Sequence, residues 1–244
     1  MSDPFQEFER LVKRLETGLE RTRTEGRARA EAKLRAWQPA AARWAIRIWL
    51  GLAAVLLPFY LLVGGSVLAY RRFGVPTWPA LLVGVLLTAL LLLVYAALVS
   101  KKVSGRLRVP SFVPRAIVAL VGAYSLYALI YLSALNVKPG VEDTYRSLHP
   151  LLRLATSTLI LADGDLVITD MERAAEDYER MGLPLYERSL HFRQGDGYAH
   201  AVDLRTLGRS GPRNFLVQMY FRAMGFRTLR HVGTAEHLHV SLPN

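Results

Sequence analysis

The chain has 244 residues, of which 52% are hydrophobic, with a positive mean hydropathy and no cysteine. That apolar content, concentrated in the first half, excludes one ordinary soluble domain and points to a membrane protein. The lack of cysteine excludes disulfides and thiolate metal sites, so any metal must be held by imidazole and carboxylate. The net charge of +11 does not mark a nucleic-acid binder, because residues 1–136 carry 18 Lys/Arg against 7 Asp/Glu while residues 137–244 carry 13 of each. The excess lies where the chain meets the membrane.

Residues 1–45 read as a basic amphipathic helix. Phe5, Phe8, Val12, Leu15 and Leu19 alternate at steps of three and four, a seam of two heptads. The reading is a helix on the cytoplasmic membrane surface, with homo-oligomerisation through the seam as the alternative. Trp37, Trp44 and Trp49 mark the approach to the bilayer interface.

Residues 46–136 form the expected membrane region. Apolar runs at Ile48–Tyr70, Pro79–Val99 and Ala116–Leu135 are each long enough to cross about 30 Å of hydrocarbon, which takes about 20 residues. The first is preceded by a long charged segment and is expected to stay as an anchor, not to be cleaved as a signal peptide. Gly64, Gly65, Gly84 and Gly122 permit close helix approach, and Tyr124, Tyr127 and Tyr131 line one side of the third span; both features read as packing. No Asp, Glu, Lys or His interrupts the span cores, where a transport path would show one. Lys101, Lys102, Arg106, Arg108 and Arg115 place the second loop with the basic N-terminus in the cytoplasm, against the weaker counter-signal of Arg71 and Arg72 in the first loop. Residues 137–244 are then extracytoplasmic.

The pattern in residues 137–244 is that of a small α+β domain with an antiparallel sheet. A helix is predicted over Glu142–Thr156. Two short strands, Leu159–Ala162 and Leu166–Thr169, flank the turn Asp163-Gly164-Asp165. Thr169-Asp170-Met171-Glu172 fits a capping box that opens a helix ending at Gly182. A further helix is predicted over Asn214–Met224, and strands over Ala199–Leu204, Thr228–Val232 and His237–Leu242.

Two stretches of this domain, Ser189–Asp203 and Glu236–His239, are dense in zinc-binding side chains. A catalytic zinc takes three protein ligands and keeps one position open. His191, Asp203 and His239 can fill those places. Strand alternation over Ala199–Leu204 sets Asp203 with Ala199 and Ala201 and turns His200 away, favouring His191 as its partner, with His200 in reserve. His237 shares a face with His239.

Ser189-x-His191, the Gly197-Tyr198-Ala199 step, Asp203 and Glu236-x-x-His239 resemble the zinc peptidase superfamily of D-Ala-D-Ala carboxypeptidases, lysostaphin-type endopeptidases and hedgehog domains. The resemblance covers residues 141–244. It implies zinc on His191, Asp203 and His239, Glu236 as catalytic base, His237 as an auxiliary group, and Arg173 as a substrate contact. Twelve residues separate His191 from Asp203 here, against seven in the family; an enlarged turn at Gly195-Asp196-Gly197 absorbs the difference, or His200 takes the first position. The implied activity is hydrolysis of peptidoglycan stem peptides by a peptidase anchored in the bacterial cytoplasmic membrane. The alternative is a non-catalytic zinc-containing domain that binds cell-wall peptide or a protein partner. Ser189 reads as a turn residue that orients His191, not as a nucleophile.

Overall fold

A computed structural model describes residues 4–182, 184–186, 188–233 and 236–243. The side chains of the N-terminal seam, Phe5, Phe8, Val12, Leu15 and Leu19, and that of Trp37 lie outside the described ones, so self-association through the seam stays an expectation. The chain forms two compact units, residues 1–55 and 56–244. The first is helical from Pro4, within α1 (Pro4–Phe73).

Among the described residues, three helices are long and apolar enough to cross a membrane: Ala42–Phe73 within α1, α2 (Thr77–Ser104) and α3 (Phe112–Ile130). Small residues set how closely α1 and α2 approach. A Cβ at Gly84 would lie 2.0 Å from Ser66 Oγ and 2.3 Å from the Leu62 carbonyl oxygen, so the α2 backbone rests directly on α1. Thr88 Oγ1 donates to Gly84 O at 2.8 Å and to Pro58 O at 3.2 Å, keeping its hydroxyl satisfied at this crossing.

The third span ends at Ile130, five residues before the expected Leu135. Its last carbonyls have no helical partner, and side chains from the following domain satisfy them. Tyr145 donates through its hydroxyl to Ala128 O at 2.7 Å, and Arg153 donates to Leu129 O at 2.8 Å. Tyr124 on α3 also meets Thr158 at 2.7 Å.

The expected helix over Glu142–Thr156 is instead a 3-10 turn, Glu142–Ser147, followed by α4 (Pro150–Ala162). Pro150 cannot continue a helix but fits its first turn, and His149 caps it by accepting the Leu151 N–H at 3.2 Å. Helix α4 also absorbs the strand expected at Leu159–Ala162. Its residues Leu151, Leu152, Leu154 and Ala155 are fully buried, and a helix buried on most sides lacks the polar stripe that marks helical periodicity. Asp163 closes α4 and pairs with Arg209 and Arg213.

The capping box at Thr169 is not formed. Thr169 lies in β1 (Ile168–Asp170) and donates its hydroxyl to Asp203 O, while Glu172 pairs with Arg193. The helix α5 (Ala175–Arg180) starts later, where the Asp177 carboxylate accepts the Ala174 N–H at 2.7 Å.

Then follow β2 (Ala201–Arg205), α6 (Gly211–Ala223), β3 (Arg227–His231) and β4 (His237–Ser241). The sheet is wholly antiparallel in order β1-β2-β4-β3. The fold is therefore a three-helix apolar region followed by a small α+β domain. Val202 and Leu204 of β2 and Leu238 and Val240 of β4 are at most 1% exposed and build the core face.

The Gly84 crossing generates a direct test. Gly84→Leu must push α2 off α1 and is expected to cost on the order of 1–3 kcal/mol, read as a lower thermal midpoint of the full chain in detergent. An unchanged midpoint would show that this contact does not hold the two helices.

Candidate metal centre

The register of β2 on β4 pairs Asp203 with His239 and Arg205 with His237. Cross-strand partners share a face, so Asp203, His237 and His239 project from the side of the sheet opposite Val202, Leu204, Leu238 and Val240. Asp203 Oδ1 lies 2.8 Å from His239 Nδ1. His237 Nε2 lies 3.6 Å from Asp203 Oδ2.

The third member comes from the loop before β2. His191 is 3% exposed, and its Nδ1 donates to the Met171 carbonyl at 2.6 Å, while its own carbonyl accepts the Arg173 N–H at 2.9 Å. Ser189 Oγ accepts the His191 N–H at 3.3 Å. With the proton held on Nδ1, the lone pair of Nε2 faces the carboxylate. A carbonyl partner on the outer nitrogen is the usual way a ligating histidine is oriented.

His191 Nε2 stands 3.2 Å from His239 Nδ1 and 3.3 Å from Asp203 Oδ1. Together with the 2.8 Å edge between His239 and Asp203, the three donor atoms form a nearly equilateral triangle. Metal–ligand bonds of about 2.0–2.1 Å in a tetrahedral site require ligand–ligand edges of about 3.3 Å. These residues can hold a metal ion. Burial pushes the Asp203 carboxyl up, but hydrogen bonding to His191 and His239 and the charge of His191 and His237 outweigh it and hold it well below the usual carboxylate range.

Arg173, expected at the start of a helix, lies before α5 in an irregular stretch. Its Nε donates to Asp170 and its terminal nitrogen to Asp203 Oδ2 at 3.3 Å, which sets a guanidinium at the edge of the triangle. Burial lowers its pKa, but Asp170 and then Asp203 more than compensate, so it is held above its ordinary value.

Glu236 is not brought into this group. Its carboxylate accepts from Arg230 at 2.6 Å, and that arginine, paired with Leu238 in the β3–β4 register, belongs to the opposite face of the sheet. Arg230 holds the Glu236 carboxyl below its ordinary range.

His200, the reserve ligand, belongs to a second group with His149 and Asp196. His200 Nε2 is 2.9 Å and His149 Nε2 is 3.6 Å from Asp196 Oδ2. This group fits a metal poorly. The Nδ1 of His149 accepts the Leu151 N–H, so its proton sits on Nε2, facing Asp196 and Thr77 Oγ1 at 3.0 Å. His200 Nδ1 is buried without a partner among the described residues, so a metal on its Nε2 would leave an unsatisfied N–H behind it. Burial, and then the charge of His200, push His149 down to about 3 against the pull of Asp196. The group is a polar clasp between the Asp196 loop and the start of α2.

Sequence reasoning missed His149, Asp196 and Asp170. His149 matches no motif spacing, although a histidine immediately before Pro150 at a helix start was a legible capping signal.

No protein-family model, curated protein or solved structure matches the chain.

The full chain is expected to bind one divalent metal, measured by elemental analysis after dialysis. His191→Ala is expected to weaken binding by more than the ten- to hundredfold typical of losing an outer partner, and His149→Asn to leave it unchanged. The reverse pattern would move the centre to the second group.

Proposed function

We propose that this chain is a membrane-anchored zinc-dependent peptidase acting on peptidoglycan stem peptides. The carrying observation is the triangle of His191 Nε2, Asp203 Oδ1 and His239 Nδ1, with edges of 2.8–3.3 Å and the His191 tautomer fixed by the Met171 carbonyl. The order of Ser189-x-His191, Asp203 and Glu236-x-x-His239 resembles the zinc peptidases and supports the same reading. So do the apolar helices, which suit a bilayer. The basic second loop favours a cytoplasmic N-terminus, which would leave residues 137–244 on the cell-wall side of a bacterial cytoplasmic membrane.

His191, Asp203 and His239 would hold the zinc. Zinc in such a site supplies Lewis acidity and lowers the pKa of water to about 7. Arg173, steadied by Asp170, offers its guanidinium to a substrate carboxylate or to the developing oxyanion. His237, beside Asp203, is the second group within reach of that oxygen. Glu236 serves as the base only after leaving Arg230: its carboxylate then takes a proton from the attacking water and delivers it to the leaving amine. The ion pair favours protonation at neither oxygen while it lasts.

That pair also favours a second reading, a zinc-containing domain that binds cell-wall peptide or a protein partner without cleaving it.

The two readings separate on purified muropeptides incubated with the full zinc-loaded chain and analysed by mass spectrometry. The peptidase reading expects loss of a terminal D-Ala or of a crosslink. It also expects a fall of about 10²–10⁴-fold in rate in Glu236→Gln, with cleavage retained or raised in Arg230→Ala. Intact muropeptides with zinc bound to wild type would establish the binding reading instead.

A further inference from the structure

Beside the end of α1, the turn between α6 and β3 bounds a crevice of about 470 Å³. One wall is Leu61, Gly64 and Leu68, all within the apolar stretch Ala42–Phe73; the other is Met224, and the rim carries Arg71 and Arg72. Two glycines shape it. At Gly64 the missing side chain leaves the wall open, since a Cβ there would only touch Tyr60 at 3.4 Å and Met224 at 3.6 Å. At Gly225, with φ of +96°, a Cβ would come within 2.9 Å of Val67 Cγ1, so only glycine lets the turn sit this close to α1.

The charge at the rim needs an explanation. Arg71 and Arg72 stand in the last turn of α1, where cations suit the helix C-terminus, on the side where, by the distribution of basic residues, lysine and arginine are otherwise scarce. Arg71 donates to the Gly225 carbonyl and so fixes the turn. Arg72 is exposed, and neither arginine is paired with a carboxylate among the described residues. Among the described residues, no Asp or Glu lines the crevice.

A crevice that is apolar along a membrane-depth helix and cationic at its mouth is complementary to one kind of molecule, an amphiphile with an acidic head. Water is not stable along the apolar wall, and a soluble anion would leave that wall empty. A zwitterionic lipid would bring an ammonium toward two guanidinium groups. We infer that this crevice is a binding site for an acidic phospholipid of the bilayer, with an acyl chain along Leu61, Gly64 and Leu68 and the phosphate at Arg71 and Arg72. The volume lies within the range of about 300–1,000 Å³ typical of small-ligand sites and takes the head-group end of the lipid, the remaining chain running on in the bilayer. The inference is independent of any peptidase activity. Its consequence is mechanical: the lipid bridges α1 to the turn that leads into β3, which pairs with the strand carrying His239.

Native mass spectrometry of the delipidated full chain tests it, with phosphatidylglycerol and phosphatidylcholine titrated separately. Wild type is expected to bind one phosphatidylglycerol at least about fivefold more tightly than phosphatidylcholine, the scale of one arginine near an acidic head group. Arg72→Ala, an exposed substitution that leaves the fold intact, should bring the two lipids to near parity. Gly64→Leu should fill the wall and remove the high-affinity event for both. Arg108→Ala, outside the crevice, should change nothing. Equal affinity for the two lipids in wild type, or a preference that survives Arg72→Ala, would overturn the proposal.

Discussion

The register of β2 against β4 is the constraint on which the rest depends. Asp203 stands opposite His239 because Val202 and Leu204 on one strand, and Leu238 and Val240 on the other, all face the core. A slip of one residue would turn the two apolar side chains of the slipping strand to the other face and bury its polar residues in their place. Burying a Val or Leu side chain is worth about 1.5–3 kcal/mol, so the slip would forfeit several times the stabilisation any single polar contact supplies. The packing of the core therefore fixes the spacing of Asp203 and His239. No loop flexibility enters that spacing.

The third donor is held differently. His191 comes from an irregular stretch, and its position is set by reciprocal bonds with the segment after β1: its imidazole N–H on the Met171 carbonyl and the Arg173 N–H on its own carbonyl. The same segment delivers the Arg173 guanidinium to Asp203. One short stretch thus orients a histidine, sets its tautomer and places a cation beside it. This domain is also stitched to the apolar helices. Tyr145 and Arg153 satisfy the last carbonyls of α3, Arg71 reaches the Gly225 carbonyl, and Thr77 at the start of α2 meets His149. Residues 56–244 accordingly form one compact unit.

Much of this was legible in the sequence. Three apolar runs and a following mixture of short helices and strands gave the fold class, because a run of about 20 apolar residues has few alternatives. Period-two alternation separates Asp203 from His200 on paper, and in the structure His200, just before β2, stands with His149 and Asp196 while Asp203 stands with His191 and His239. What could not be read depended on partners far along the chain. Thr169 and Glu172 have the spacing of a capping box, but Thr169 bonds Asp203 O and Glu172 pairs with Arg193, and these tertiary contacts displaced the helix start. Glu236 stands three residues before His239, as the resemblance requires, yet spacing says nothing of Arg230 on the neighbouring strand. In α4, burial on most sides erased the periodicity by which a helix is recognised.

The central claim is that one metal is held by His191, Asp203 and His239. It is tested most directly by anomalous diffraction at the zinc edge from crystals of the zinc-loaded full chain. The account expects a single strong peak within about 2.0–2.2 Å of His191 Nε2, His239 Nδ1 and an Asp203 carboxylate oxygen. A peak between His149, Asp196 and His200, or none at either group, would contradict it.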